Sequence, residues 1–190
     1  MPNSKNIEVI VIGGSTGGVT SVKQLLKRLP YSYSIPIVIV LHRRSNVKSS
    51  LVAVLQQSTE IRVKEADEKE TLKPGFAYIA PANYHLLVEN DRTLAMDYSE
   101  PVNYSRPSID LTMFSIASVF GSRSMGILLS GGGKDGAAGM LKLSNMGATC
   151  IAQEPKEAII RSMPKAAISI ASARPMTIDQ IGLLMAQLTS

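Results

Sequence analysis

The chain has 190 residues, 45% of them hydrophobic and 18% charged, with a formal net charge of +5. This composition excludes an intrinsically disordered chain, and the length suits one domain with a sizeable core, expected over residues 1–190. No apolar stretch approaches the roughly 20 residues that span a bilayer, and the short polar start lacks a signal-peptide pattern, so a cytosolic protein is expected.

The first half reads as β-α-β-α. Residues 8–12 form a continuous apolar strand. Val19, Val22, Leu26 and Leu29 then recur at helical spacing until Pro30 stops the helix. A β-branched run at 35–41 predicts a second buried strand, a helix follows over 47–57, and 61–63 alternates as a short third strand. Pro74-Gly75 marks a turn before a strand at 76–80. Segments 85–88 and 93–96 flank Glu89-Asn90-Asp91-Arg92, the pattern of an antiparallel hairpin inserted in a mainly parallel arrangement. The alternation then resumes. Pro107 and Ser108 open a helix to about Phe120, and 124–129 is a strand. A helix over 135–146 is stopped by Gly147, and 148–152 is another strand. A short helix covers 163–169, and Thr177 to Gln180 fits a capping box ahead of Ile181, Met185 and Leu188 on one face. Alternating strands and helices imply an α/β fold, a doubly wound and mainly parallel sheet with an antiparallel hairpin insertion.

Three strand ends carry chemistry-bearing residues. Gly13-Gly14-Ser15-Thr16-Gly17 follows the first strand and satisfies the G-x-S-x-G pattern of a nucleophile elbow. A tight strand-to-helix turn lifts the serine oxygen into a cleft and aims backbone N–H groups at a developing oxyanion. The same geometry can cradle a phosphate, and Ser15 can serve as a plain helix cap. The dinucleotide fingerprint and the P-loop lysine are absent. His42 ends the second strand. Asp135 follows Gly131-Gly132-Gly133-Lys134 and stands where a helix N-cap is expected, or where a carboxylate could orient an imidazole. In a parallel sheet these three ends share one edge, where ligands bind. His85, in the hairpin, has no evident carboxylate partner and reads as structural. The lone Cys150 reads as an inert buried thiol, with no disulfide and no cysteine zinc site. The mixed run 64–70 is expected to be a solvated charged turn, and no metal-ligand spacing occurs.

Charge is uneven. No acidic residue occurs over 9–59, a stretch holding Lys23, Lys27, Arg28, Arg43, Arg44 and Lys48. This favours an acidic partner near that edge. Nucleic acid is disfavoured by an aromatic content of 5% and no tryptophan.

From about Ile7 to Leu188 the chain resembles the catalytic domain of the bacterial chemotaxis protein-glutamate methylesterase family. The motifs that carry the resemblance are Gly14-Ser15-Thr16-Gly17-Gly18, His42, Asp135-Gly136-Ala137-Ala138-Gly139-Met140, Pro74-Gly75-Phe76-Ala77-Tyr78-Ile79-Ala80-Pro81, Arg106-Pro107-Ser108-Ile109-Asp110 and Met163-Pro164-Lys165. The resemblance implies a Ser15–His42–Asp135 triad, cofactor-free hydrolysis of glutamate methyl esters on chemoreceptor helices with release of methanol, and deamidation of receptor glutamines as a further family activity. Backbone donors of Thr16 and Gly132 are expected at the oxyanion, and Arg43 and Arg44 are candidate substrate contacts. Family members usually have Gln before the histidine and Met-Pro or similar after it, where this chain has Leu41 and Arg43-Arg44. They usually have Met and Asn where it has Gly132 and Lys134. These departures imply a more open, more basic site. The family's regulatory form adds an N-terminal receiver domain; if this chain is complete, control by phosphorylation of that domain is absent. Two rivals are a non-catalytic docking module and a phosphate- or nucleotide-binding domain.

Overall fold

The computed structural model describes residues 6–43 and 50–188. Seven strands, β1 (Val9–Gly14), β2 (Ile37–Leu41), β3 (Arg62–Glu65), β4 (Phe76–Ile79), β7 (Ser124–Leu128), β8 (Thr149–Gln153) and β9 (Arg174–Met176), form one sheet in the order β3-β4-β2-β1-β7-β8-β9. Every pairing in it is parallel. The hairpin β5 (His85–Val88) and β6 (Leu94–Asp97) forms a separate antiparallel pair.

Period-two side-chain alternation divides the core. Ile10 and Ile12 of β1, with Ile37 and Ile39 of β2, pack against α1 (Gly18–Leu26), α2 (Leu51–Gln56) and α6 (Ile178–Gln187). Val9, Val11, Val38 and Val40 face the other layer, made of α3 (Ile109–Phe120), α4 (Ala137–Asn145), α5 (Ser162–Ala171) and the hairpin. Both sheet faces are therefore covered, which is why the strands read as continuous apolar runs. The hairpin is fastened to α3 by Thr112 Oγ1 donating to Leu86 O (2.6 Å) and by Val88 N donating to Ser115 Oγ (3.0 Å).

The expected elements form, with ends shifted by a few residues. The first part of the helix expected over 47–57 lies outside the described residues. Strand β9 was not expected. It has three residues, one of them Pro175, and Pro is tolerated there because β9 is an edge. The capping box at Thr177 and Gln180 is present on α6. The charged turn is laced by Lys64 to Asp67 and Glu70. Cys150 is half-buried on β8, its thiol pushed up to about 11 by burial, which agrees with an inert role.

Fully buried Leu25 and half-exposed Leu183 give a contrast on two helices of one layer. Leu25→Ala is expected to cost about 2–5 kcal/mol, and Leu183→Ala within about 0.5 kcal/mol, measured by urea unfolding.

Candidate active site

Strands β2, β1 and β7 are neighbours, and the strand order reverses at the β1–β7 pair. The loops leaving their C-terminal ends therefore meet at one crevice. The ladder continues past the strand ends: His42 N donates to Gly14 O (3.1 Å), Leu129 N to Gly13 O (2.8 Å) and Ser15 N to Ser130 O (2.9 Å). These bonds fix the starting points of Ser15, His42 and the glycine loop before any side chain is placed.

The elbow is fastened from behind. Ser130 Oγ donates to Thr16 O (2.7 Å) and accepts from Ile160 N (2.9 Å), while its N–H donates to Gln153 Oε1 (2.8 Å). A Cβ on Gly131 would strike Met163 Sδ and stand 2.9 Å from Ser15 Cβ, so only glycine lets the loop pass this close to the serine. A Cβ on Gly132 would meet nothing within 4 Å. Neither the Thr16 N–H nor the Gly132 N–H has an acceptor among the described residues.

Asp135 is almost fully buried and is the centre of a dense set of donors. Its Oδ2 accepts from His42 Nε2 (2.7 Å) and Ile109 N (2.8 Å). Its Oδ1 accepts from Ser108 Oγ (3.0 Å), Asp110 N (3.0 Å) and Gly136 N (3.1 Å). Asp135 thus does not cap its own helix as the sequence suggested. Gly136 occupies that N-cap with no side-chain bond, and the carboxylate turns to the N-terminus of α3 instead. Burial pushes its acidity towards the neutral form, but the bond from His42 and the N–H groups of Ile109 and Asp110 outweigh burial and hold it below the usual carboxylate range. Asp110, in the first turn of α3, reciprocates. Its Oδ1 accepts from Gly139 N of α4 (2.7 Å), and its Oδ2 from Asn103 Nδ2 (3.1 Å). Burial raises Asp110 to about 6; the Gly139 N–H opposes this and the charge of Asp135 adds to it.

Because Nε2 of His42 faces a carboxylate, the neutral ring carries its proton on that nitrogen and leaves Nδ1 as the acceptor. Nδ1 lies 3.4 Å from Ser105 Oγ. The Ser15 hydroxyl has no partner among the described residues. Ser15, Thr16, His42 and Arg43 line one cavity of about 600 Å³ together with Tyr104 and Ser105. Gly132 is exposed and stands outside that lining, and Arg44 lies outside the described residues. Arg43 Nη2 donates to Glu65 Oε1 (2.7 Å). His85 is fully buried. Its Nδ1 accepts from Ser108 N (3.0 Å) and its Nε2 donates to Glu100 O (3.1 Å), so it braces the start of α3 on which Asp135 depends.

Sequence reasoning missed Ser105, Ser130 and the partners of Asp135 at Ser108, Ile109 and Asp110. The last three sit in a motif that marked the family resemblance, but the pairing spans about 25 residues and has no local signature.

The result is a doubly wound α/β protein with a serine and an imidazole lining one cavity at a switch point and a buried carboxylate bonded to the imidazole, the residue types a nucleophilic hydrolase uses. Residues 10–185 match the family model described as CheB methylesterase. A Leptospira interrogans protein, provisionally named a protein-glutamate methylesterase/protein-glutamine glutaminase, is 41% identical over 167 residues, covering 88% of this chain and 86% of that protein. The Thermotoga maritima protein-glutamate methylesterase/protein-glutamine glutaminase is 37% identical over 164 residues, 85% of this chain and 48% of that longer protein. The crystal structure of the Thermotoga maritima CheB methylesterase catalytic domain superposes with a TM-score of 0.91 at 34% identity, covering 96% of this chain and 99% of that one. The chain belongs to the CheB methylesterase family.

Two outcomes follow from this geometry. Gly131→Ala is expected to displace Ser15 and cut ester turnover at least tenfold, whereas Gly132→Ala meets no neighbour and retains most of it; p-nitrophenyl acetate hydrolysis reads both. Asp110 binds its proton more tightly folded than unfolded, so it lowers stability as pH rises from the ordinary 3.8 to about 6. Asp135, held below its ordinary 3.8, contributes a slope of the opposite sign mainly at and below that pH. The melting temperature of Asp110→Asn relative to the parent is therefore expected to climb between about pH 4 and 6 and to level off above, followed by calorimetry across pH.

Proposed function

We propose that this chain is a serine carboxyl-ester hydrolase that removes methyl groups from glutamate methyl esters on chemoreceptors. The observation that carries the reading is the 2.7 Å bond from buried Asp135 to His42, which lines the same cavity as Ser15. Family membership supports the substrate.

Ser15 Oγ attacks the γ-carbonyl carbon, and His42 Nδ1 takes its proton. Asp135 keeps the ring oriented and stabilises the imidazolium that results. The Thr16 N–H donates to the oxyanion; Gly132, outside the cavity lining, is the weaker candidate for a second donor. The imidazolium then protonates the departing methoxide, giving methanol and an acyl-serine. Water, deprotonated by Nδ1, attacks this ester, leaving a glutamate carboxylate and restoring the Ser15 hydroxyl. With glutamine in place of the methyl ester, the same steps release ammonia, in keeping with the glutaminase half of the relatives' names. No step calls for a metal or an organic cofactor.

The proposal takes residues 1–190 as one catalytic domain working in the cytoplasm on acidic receptor helices. Two observations are compatible with that setting: among the described residues no helix is long and apolar enough to cross a membrane, and acidic residues are missing over 9–59. Arg43 is a substrate contact in this reading.

Methanol release from methyl-esterified chemoreceptor membranes is the direct test. The wild-type chain is expected to release it and Ser15→Ala to release none above background. Asp135→Asn is expected to lose about 10³- to 10⁴-fold in kcat. Turnover retained by folded Ser15→Ala contradicts the assignment.

A further inference from the structure

The cavity beside Ser15 has an unbalanced charge. Arg43 and Arg106 both line it, and no acidic side chain among the described residues does. Neither guanidinium is fully engaged. Arg43 is largely buried, at 12% side-chain exposure, yet among the described residues its only carboxylate contact is Nη2 to Glu65, and Nε and Nη1, shut off from water, have no partner there. Arg106 donates Nη1 to Tyr98 O (3.2 Å) and Ser99 O (2.8 Å), and its guanidinium lies 4.1 Å from the Tyr98 ring centroid, but its Nε is likewise buried without a partner.

A buried donor left unmade costs free energy, and a buried guanidinium costs more than a neutral group. The fork of an arginine fits one ligand geometry best, a carboxylate bound through two parallel N–H groups. Arg43 is tied at Nη2 to a Glu65 that is itself 44% exposed, and with Nε and Nη1 shut off from water it is this contact that an incoming carboxylate exchanges with. Arg106 is anchored to backbone carbonyls and is the more rigid of the pair.

We propose that Arg43, with Arg106 on the lining of the same cavity, forms an anion subsite that binds a carboxylate carried by the substrate close to the scissile ester. In a helical substrate that carboxylate belongs to a glutamate or aspartate three or four residues from the esterified position, because those side chains share one face. The subsite rests on the ester-hydrolase reading only for placing the ester at Ser15. It makes Arg43 a specificity-determining residue: the enzyme selects esters with an unmodified acidic neighbour over esters with a neutral one.

Two peptides test this, identical except for Glu or Gln four residues from a single glutamine that stands in for the ester. Their dissociation constants are measured by calorimetry against Ser15→Ala protein, so that binding is read whether or not the peptide is a substrate. The Glu peptide is expected to bind about tenfold more tightly at low salt, and this preference is expected to fall to near unity when Arg43→Gln is added. Arg43→Lys, which keeps the charge but not the fork, is expected to fall between, and serves if Arg43→Gln fails to fold. Equal binding of the two peptides to Ser15→Ala, or a preference that survives loss of the Arg43 side chain, overturns the subsite. The corresponding methyl-ester peptides, turned over by the unmodified protein, read the reaction separately. A binding preference without turnover contradicts the hydrolase reading and leaves the subsite standing, whereas turnover with no preference does the reverse.

Discussion

One buried carboxylate ties the catalytic crevice to the packing of two helices. Asp135 leaves the loop after β7, accepts the first free N–H groups of α3, and offers what remains of its capacity to His42. The bond from His42 and the N–H groups at the start of α3 hold it below the usual carboxylate range despite burial. Asp110 returns the arrangement, leaving the first turn of α3 to accept from Gly139 of α4. Two carboxylates this close cannot both ionise freely, and the structure divides them. The one facing the imidazole is held ionised, and the other is raised to about 6. The orientation of His42 is thus set by how α3 meets α4, and a disturbance of that contact reaches the imidazole through a single hydrogen bond.

This constraint also fixes which ring nitrogen works. The worked template of serine hydrolases has its aspartate on Nδ1 and its serine on Nε2. Here the aspartate takes Nε2, so the face turned to the cavity is Nδ1, with Ser105 as its present neighbour. The serine elbow needs no such support from α3. It is secured by the extended β1–β7 ladder, by Ser130 and by the glycine at 131. Ser15 is thus braced by β1 and the loop after β7, and His42 by β2, α3 and α4, with the bond from His42 N to Gly14 O joining the two.

Much of this was legible in the sequence because the relevant signals are local. β-branched runs gave the parallel strands, and Thr177 with Gln180 gave the start of α6. The positions of Ser15, His42 and Asp135 at strand ends followed once the sheet was read as parallel. What was not legible depends on approach between distant segments. Asp135 has the pattern of a local N-cap, and only the packing of α3 against α4 redirects it. His85 was recognised as structural, but its bond to Ser108 and so its bearing on the site could not be read from a hairpin. Strand β9 was hidden by Pro175, which is tolerated because no strand among the described residues pairs beyond it. The expectation of a more open site rested on Gly132, which is exposed and outside the cavity lining, while the arginines that line the cavity are Arg43 and Arg106.

The central claim is that Asp135 fixes the imidazole of His42 with its proton on Nε2. Nitrogen-15 NMR of the His42 ring in the folded protein, at a pH where the ring is neutral, measures this directly. The account predicts a protonated Nε2 and a bare Nδ1 in the parent chain. A neutral ring with its proton on Nδ1 would contradict it, because Asp135 would then not be holding the nitrogen that the site requires.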